Sequence, residues 1–326
     1  MREWELLAHI RASSADQPGT FPHVIIPPGD DCGVVRTPAG DQILLKVDQV
    51  VEGRHFRAPG SSWHSADGFP GGLSRAAYLD LIARKAVARA ISDIAAMAGS
   101  PLSALAAACL PSGFPDDAAR ELADGLHRWG AHWSCPVVGG DLASFSAEHA
   151  GPLTLAISVV GLPHPARGPV LRSGARSGDL LYTTGSIGGS LRADGLGKHL
   201  TFEPRLREAR HLADTLGPRL HAMLDVSDGL GVDAARLATA SHACVEIEEA
   251  RLPTTPGVPA RRAVRDGEDY ELLFTAHPAA EVPRRVPGTD CPITCIGEVV
   301  PGPPGAALLR MDGGREDVSR SGWEHT

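Results

Sequence analysis

Met223-Leu224-Asp225-Val226-Ser227-Asp228-Gly229-Leu230 is the stretch on which the reading of this chain turns. Residues 223–226 read as a strand, 227–229 as a turn and 230–240 as a helix, so two carboxylates flank a strand-to-helix turn. Ser227 or Asp228 can cap that helix, but two carboxylates are more than a cap needs. Similar acidic turns recur as Gly29-Asp30-Asp31, Val47-Asp48, Ile91-Ser92-Asp93, Gly139-Gly140-Asp141 and Gly267-Glu268-Asp269, nearly all beside an apolar run. Carboxylates placed repeatedly at element ends suggest a hard cation, and magnesium usually arrives with a polyphosphate. The first expectation is a magnesium–nucleotide site built from both halves of the chain.

At 326 residues the chain is long for one core, and two domains are expected, 1–163 and 164–326. Asp plus Glu number 39 against 31 Lys plus Arg, a net charge of −8 that argues against a nucleic-acid partner. No apolar run reaches the roughly 20 residues of a membrane span. The first residues, Met-Arg-Glu-Trp-Glu-Leu-Leu, lack a signal-peptide core. The six cysteines are scattered, and Cys291 and Cys295 have the wrong spacing for a zinc knuckle. Reduced, mostly buried thiols in a cytoplasmic protein are expected.

The pattern along the chain is α+β. Residues 3–10 read as a helix and a strand starts at Val34 and Val35. A turn at 38–41 leads into a return strand over 43–51, with Ile43, Leu45 and Val47 on one face and Leu44, Lys46 and Asp48 on the other. Residues 59–75 look like loop, 84–98 like a helix ended by Gly99 and Pro101, 102–110 like a strand and 116–130 like a helix. A short strand over 136–140 is expected to end at Asp141, and Leu153, Leu155, Ile157 and Val159 share one face of another. Residues 162–178, rich in Pro, Arg and Gly, mark the junction. Then come a strand over 180–184, a helical stretch after Pro204, a strand over 270–275 and a Gly-rich tail from Pro301.

Each motif has a plainer reading. Asp30 and Asp31 repel unless a cation or backbone donors hold them, and a solvated turn would also do. Two glycines before Asp141 let backbone approach a phosphate, or simply make a tight turn. Asp93, mid-helix, has Arg89 one turn earlier as an i,i+4 partner. His55 lies in a loop where a histidine is more often just solvated. Gly185-Ser186-Ile187-Gly188-Gly189 lacks the lysine of a Walker motif, and no nucleophile–base pair for covalent catalysis stands out.

Taken together and in order, several pieces resemble the thiamine-monophosphate kinase family. They are Glu3-Trp4-Glu5-Leu6-Leu7, Gly29-Asp30-Asp31-Cys32, Asp48 with Val51-Glu-Gly-Arg-His-Phe56, Lys85 through Ser92-Asp93-Ile-Ala-Ala-Met97, Val138-Gly-Gly-Asp141, Arg172-Ser-Gly-Ala, the stretch from Asp225 to Leu230, Gly267-Glu-Asp-Tyr-Glu-Leu-Leu-Phe-Thr275 and the final Gly-Trp-Glu-His. That family belongs with aminoimidazole ribonucleotide synthetase and selenophosphate synthetase. The resemblance implies two α+β domains, with the N-terminal sheet pairing across a homodimer into a barrel. It implies phosphoryl transfer from ATP to thiamine monophosphate, giving thiamine diphosphate. By motif position, Asp31, Asp48, Asp93, Asp141, Asp225 and Asp228 would hold magnesium ions. Gly140, Asp141, Arg172 and Ser227 would meet the nucleotide, and His55, Glu268 and Trp323 the acceptor, with Trp323 stacking on a ring. No covalent residue is implied; Asp228 and Lys46 are candidates for positioning charge.

The chain also departs from the pattern. Lys46-Val47 stand where the family has Ser/Thr-Thr, Ala90 replaces Asn, Ala83 replaces Gly, and Leu142-Ala143 replace Thr-Thr. Those changes keep two alternatives open: a paralogue using ATP on another small molecule, and a degenerate nucleotide-binding dimer. A protonated lysine has donors and no lone pair, so Lys46 is expected to stand within reach of Asp48 as a cation and to lower the number of metal ions.

Overall fold

The computed structural model describes residues 3–59, 62–149 and 151–323. Its strands form two sheets. The first contains β1 (Val24–Ile26), β2 (Gly33–Arg36), β3 (Gln42–Val51), β4 (Ser100–Leu110), β5 (Val137–Ser144) and β6 (Thr154–Leu162), in the order β1-β2-β3-β6-β4-β5. The second contains β7 (Leu180–Thr184), β8 (Leu220–Asp225), β9 (Cys244–Glu248), β10 (Leu272–Ala276), β11 (Ile293–Val300), β12 (Gly305–Leu309) and β13 (Arg315–Asp317). Its order is β13-β12-β9-β11-β7-β10-β8. The fold is therefore mixed α+β, as expected. Among the described residues no helix is long and apolar enough to cross a membrane.

The period-2 reading of β3 holds. Leu44 and Val50 are buried on the inner face, while Leu45 and Val47 on the outer face are 40% and 58% exposed. In β6 the inner face is Leu155, Ile157 and Val159, all buried. Helix Arg75–Ala96 lies across that inner face. It begins well before the expected residue 84, because Ser74 caps it by accepting a hydrogen bond from the Ala77 N–H. The loop-like composition just upstream hides that start. At its other end Ala98 takes a left-handed φ of 55° and the Gly99 N–H donates to the Ile94 carbonyl. A Cβ at Gly99 would meet Leu44 Cδ1 at 2.5 Å, so this close approach needs glycine.

Two expectations fail locally. Gly139-Gly140-Asp141 is not a turn at a strand end: β5 runs through it to Ser144, paired in parallel with β4. A Cβ at Gly140 would collide with the Ala106 carbonyl, so the glycine serves strand packing. The Gly-rich tail also carries β12 and β13, and β9 and β11 were not legible either.

The two halves meet on the long helix. Its end, Ala95, Ala96 and Ala98, is buried in one apolar cluster with Leu212, Met223 and Phe274 of the second half. Alanines at this contact let the helix approach β8, and that approach brings Asp93 to Asp225.

Candidate active site

Asp31 follows the Gly29 turn, Asp93 lies on the long helix and Asp225 ends β8. One oxygen from each of these buried carboxylates lies within 4.8 Å of the others. Burial, with Asp31 close by, pushes the Asp225 carboxyl up to about 7. Burial likewise raises Asp93 well above the ordinary range, against the pull of Lys46. Three such groups cannot all ionise in a dry site without positive charge between them. One Asp31 oxygen accepts from Arg172 Nε at 3.1 Å and Nη2 at 2.5 Å; the other is buried with no hydrogen-bond partner among the described residues. An all-oxygen set with a spare buried oxygen suits a hard divalent cation.

Around this core the other predicted carboxylates take different places. Asp48 lies 3.8 Å from Lys46 Nζ and 3.9 Å from Arg89 Nη2. Lys46 Nζ also donates to Asp93 at 2.7 Å, so Lys46, and not Arg89, is the partner of Asp93. Asp228 accepts from Arg236 Nη1 at 2.5 Å. Asp141 is not brought in. Register pairs it with Ala107, Ala107 with Ala156, and Ala156 with Gln49, which places it on the outer face with Val47.

The turn at 227–229 is held by a residue that the sequence did not single out. The N–H groups of Ser227, Asp228 and Gly229 all donate to Asp233 Oδ2, at 3.0, 2.9 and 3.1 Å. Neither Ser227 nor Asp228 caps the helix; Gly229 stands at the cap position. The Ser92 hydroxyl donates to Asp225 at 2.5 Å and ties the helix to the same turn.

Beside the turn lies a cavity of about 540 Å³. His55, Glu268, Trp323, Ser227 and Asp228 all line it. Glu268 adopts a left-handed φ of 67°, and its N–H donates to the Ser227 carbonyl at 2.7 Å. Trp323, 51% exposed, donates its backbone N–H to the Asp228 carbonyl at 2.7 Å. Behind the wall, fully buried Lys85 donates to the His55 carbonyl at 2.6 Å, to His199 Nδ1 at 3.0 Å and to Glu268. Those bonds use all three donors of an ammonium and clip three segments together. Burial lowers Lys85 to about 8 and, with Lys85 beside it, His199 to about 4. Burial alone would raise Glu268, but Lys85 and Arg89 outweigh it and hold the carboxyl below its ordinary value. Nothing in the sequence pointed to His199. A larger cavity of about 980 Å³ opens around Lys198, Arg205 and Glu271; Gly185 and Ser186 of the glycine-rich loop line it, but none of the residues expected to meet metal, nucleotide or acceptor does. Glu271 there is saturated by Thr184, Lys198 and Arg205.

Comparison with known proteins identifies relatives of this chain. A family model, AIR synthase related protein, N-terminal domain, matches residues 29–162. The chain is 33% identical to the thiamine-monophosphate kinase of Rhodopirellula baltica, with 91% of this chain and 89% of that protein covered. It is 32% identical to that of Halobacterium salinarum, covering 91% and 94%. Among solved structures, AaThiL complexed with AMPPCP and TMP matches at a TM-score of 0.76 and 25% identity, over 100% of this chain and 97% of that one. The hydrogenase maturation protein HypE in complex with ATP matches at 0.68 over 87% of each chain, a likeness of fold alone at 15% identity. With such identity held over almost its whole length, this chain belongs to the thiamine-monophosphate kinase family.

Proposed function

We propose that this chain phosphorylates thiamine monophosphate with ATP, giving thiamine diphosphate and ADP. One observation carries the reading: a buried carboxylate trio with a spare oxygen lies in the same helix-and-turn framework as a cation-rich cavity. Arg54, Arg57, Arg89, Arg262 and Arg265 line that cavity against Asp228, Asp266 and Glu268. Such an excess of guanidinium suits a phosphate monoester. Leu191 and Trp323 offer apolar and aromatic surface for its heterocycle.

In this reading Asp31, Asp93 and Asp225 hold magnesium, with Asp48 and Asp228 at its edges. Bound there, magnesium would supply positive charge to offset that of the nucleotide's phosphates. Arg172 holds Asp31 in place and meets the nucleotide, as does Ser227. His55 and Glu268 orient the acceptor. No residue forms a covalent intermediate; rate comes from positioning and charge.

The outer face of the first sheet supports a homodimer. Leu45, Val47, Leu105 and Leu162 leave it apolar and between 40% and 58% exposed. Closing that face against a second copy makes a barrel without edges. Asp141 lies on this face, so Gly140 and Asp141 serve the nucleotide of the second copy's site. We take the two sheets as two domains, divided near residue 163, and place the protein in the cytoplasm. Incubation with ATP, magnesium and thiamine monophosphate should yield equal amounts of thiamine diphosphate and ADP. AMPPCP binding without any product would refute the kinase reading in favour of a degenerate binding dimer.

A further inference from the structure

Lys85, Arg89 and Asp93 are spaced by four on helix Arg75–Ala96, so they share one face over about 12 Å. Lys85, at one end, clips the acceptor cavity, and Asp93, at the other, belongs to the acidic trio. Arg89 lies between them. It lines the acceptor cavity and stands 3.9 Å from Asp48.

Arg89 is also under-used. Its Nη1 donates to the Gln49 carbonyl at 3.0 Å, while its Nε is buried with no hydrogen-bond partner among the described residues. Asp48, at 3.9 Å, is too far for a hydrogen bond. Three guanidiniums nearby are spent on carboxylates: Arg172 on Asp31, Arg236 on Asp228 and Asp233, and Arg205 on Glu271. An idle buried donor on a cation costs stability unless a ligand takes it up. The ligand must bring acceptor oxygens and negative charge, as a phosphoryl group does. Lys46 completes the picture from β3. Its ammonium lies against Asp93 and near Asp48, and it cannot ligate a metal.

We propose that Arg89 contacts the phosphoryl group during transfer, and that Lys46 stands at Asp48 and Asp93 as a fixed cation in place of a metal ion. This inference rests on the kinase reading above. An oxygen of the acceptor phosphate forms a bond to the terminal phosphorus of ATP while the bridging P–O bond breaks. The electron pair leaves on ADP, and nothing is oxidised or reduced. Arg89 offers its free donors to the equatorial oxygens as they pass from nucleotide to acceptor.

Arg89→Met keeps the length and removes the donors. It should lower kcat about 100-fold, with the affinities for magnesium–AMPPCP and thiamine monophosphate within about threefold of wild type. Arg89→Lys should recover no more than about a tenth of the lost rate. A second readout needs no turnover. ADP, aluminium fluoride and thiamine monophosphate should form a stable complex with wild type, seen by fluorine NMR, and not with Arg89→Met. If Arg89→Met fails to fold, Arg89→Lys in the same NMR experiment decides. Equilibrium dialysis with AMPPCP should find one more magnesium per chain in Lys46→Thr than in wild type. A kcat within about threefold, an intact fluoride complex, or equal metal counts would overturn the corresponding assignment. An inactive wild type would instead refute the kinase reading, so the two failures are distinguishable.

Discussion

Gly139-Gly140-Asp141 and Asp225-Val226-Ser227-Asp228-Gly229 look alike as glycine–aspartate motifs, yet they are embedded in opposite ways. The second is closed within one chain. Asp225 is buried and bonded to Ser92, three turn N–H groups converge on Asp233, and Asp228 is tied to Arg236. The first is open. It lies inside edge strand β5, and the Asp141 carboxylate is exposed with no hydrogen bond or ion pair among the described residues. The difference teaches that a local acidic motif says where a carboxylate stands on its element, and tertiary register says which face it serves. One motif is complete within the chain; in the homodimer we propose, the other faces the second copy.

The strongest way to break this comparison is Asp225→Asn. If the closed turn is the metal core, phosphoryl transfer should fall by about 100-fold or more. The metal-free protein should at the same time become more stable by a few degrees in Tm, because a buried carboxyl pushed up to about 7 by burial and Asp31 is relieved. The sign follows from the raised folded-state value. The native carboxyl is favoured neutral, so its contribution is full below the unfolded range and is lost as pH rises towards about 7. The gain from asparagine should therefore be larger at pH 8 than at pH 5. Magnesium with AMPPCP should raise the wild-type Tm and leave the variant unmoved. Thermal unfolding that shows the same ligand-induced rise in both proteins would remove Asp225 from the site.

A smaller effect is expected at the open motif. Asp141→Asn should weaken magnesium–ATP binding about tenfold, or roughly 1.4 kcal/mol. Val47→Glu, on the same outer face, should disrupt the proposed dimer and weaken nucleotide binding by a similar factor. Sedimentation combined with calorimetry checks both. Tight nucleotide binding by a monomeric Val47→Glu protein would mean that Asp141 has no part in the site.

How much of this was legible follows the same divide between local and tertiary. The alternation of β3 and β6, helix Leu230–Ala240 and strand Leu180–Thr184 follow from nearest-neighbour patterns. The positions of Asp31, Asp93 and Asp225 were marked by their glycine, helix and strand contexts, and the fold brings them together. The partner of Asp93 was not legible. Spacing offered Arg89, but Lys46 comes from another element and takes that place. Asp233 reads as an ordinary first-turn acid, and only the folded turn shows its hold on three N–H groups. His199 meets Lys85 across 114 residues of chain, a contact that no local pattern encodes. Two glycines before Asp141 suit a turn as well as a tight strand crossing, so local sequence cannot tell the two apart.

The smallest expected effect sharpens the comparison from the closed side. Trp323 is fastened to the turn by its N–H on the Asp228 carbonyl, and its half-exposed ring borders the acceptor cavity. It should therefore act on the acceptor and not on the nucleotide. An aromatic contact contributes about 0.5–1.5 kcal/mol, so Trp323→Ala should raise the KM for thiamine monophosphate by about two- to tenfold. The KM for ATP should stay nearly constant. Because the turn is complete within one chain, the ratio should not depend on protein concentration, whereas the Asp141→Asn defect should deepen as dilution separates the copies. Steady-state kinetics at two protein concentrations reads both. If the Trp323→Ala defect falls on ATP, or grows with dilution in step with Asp141→Asn, the closed turn depends on the second copy as much as the open strand does.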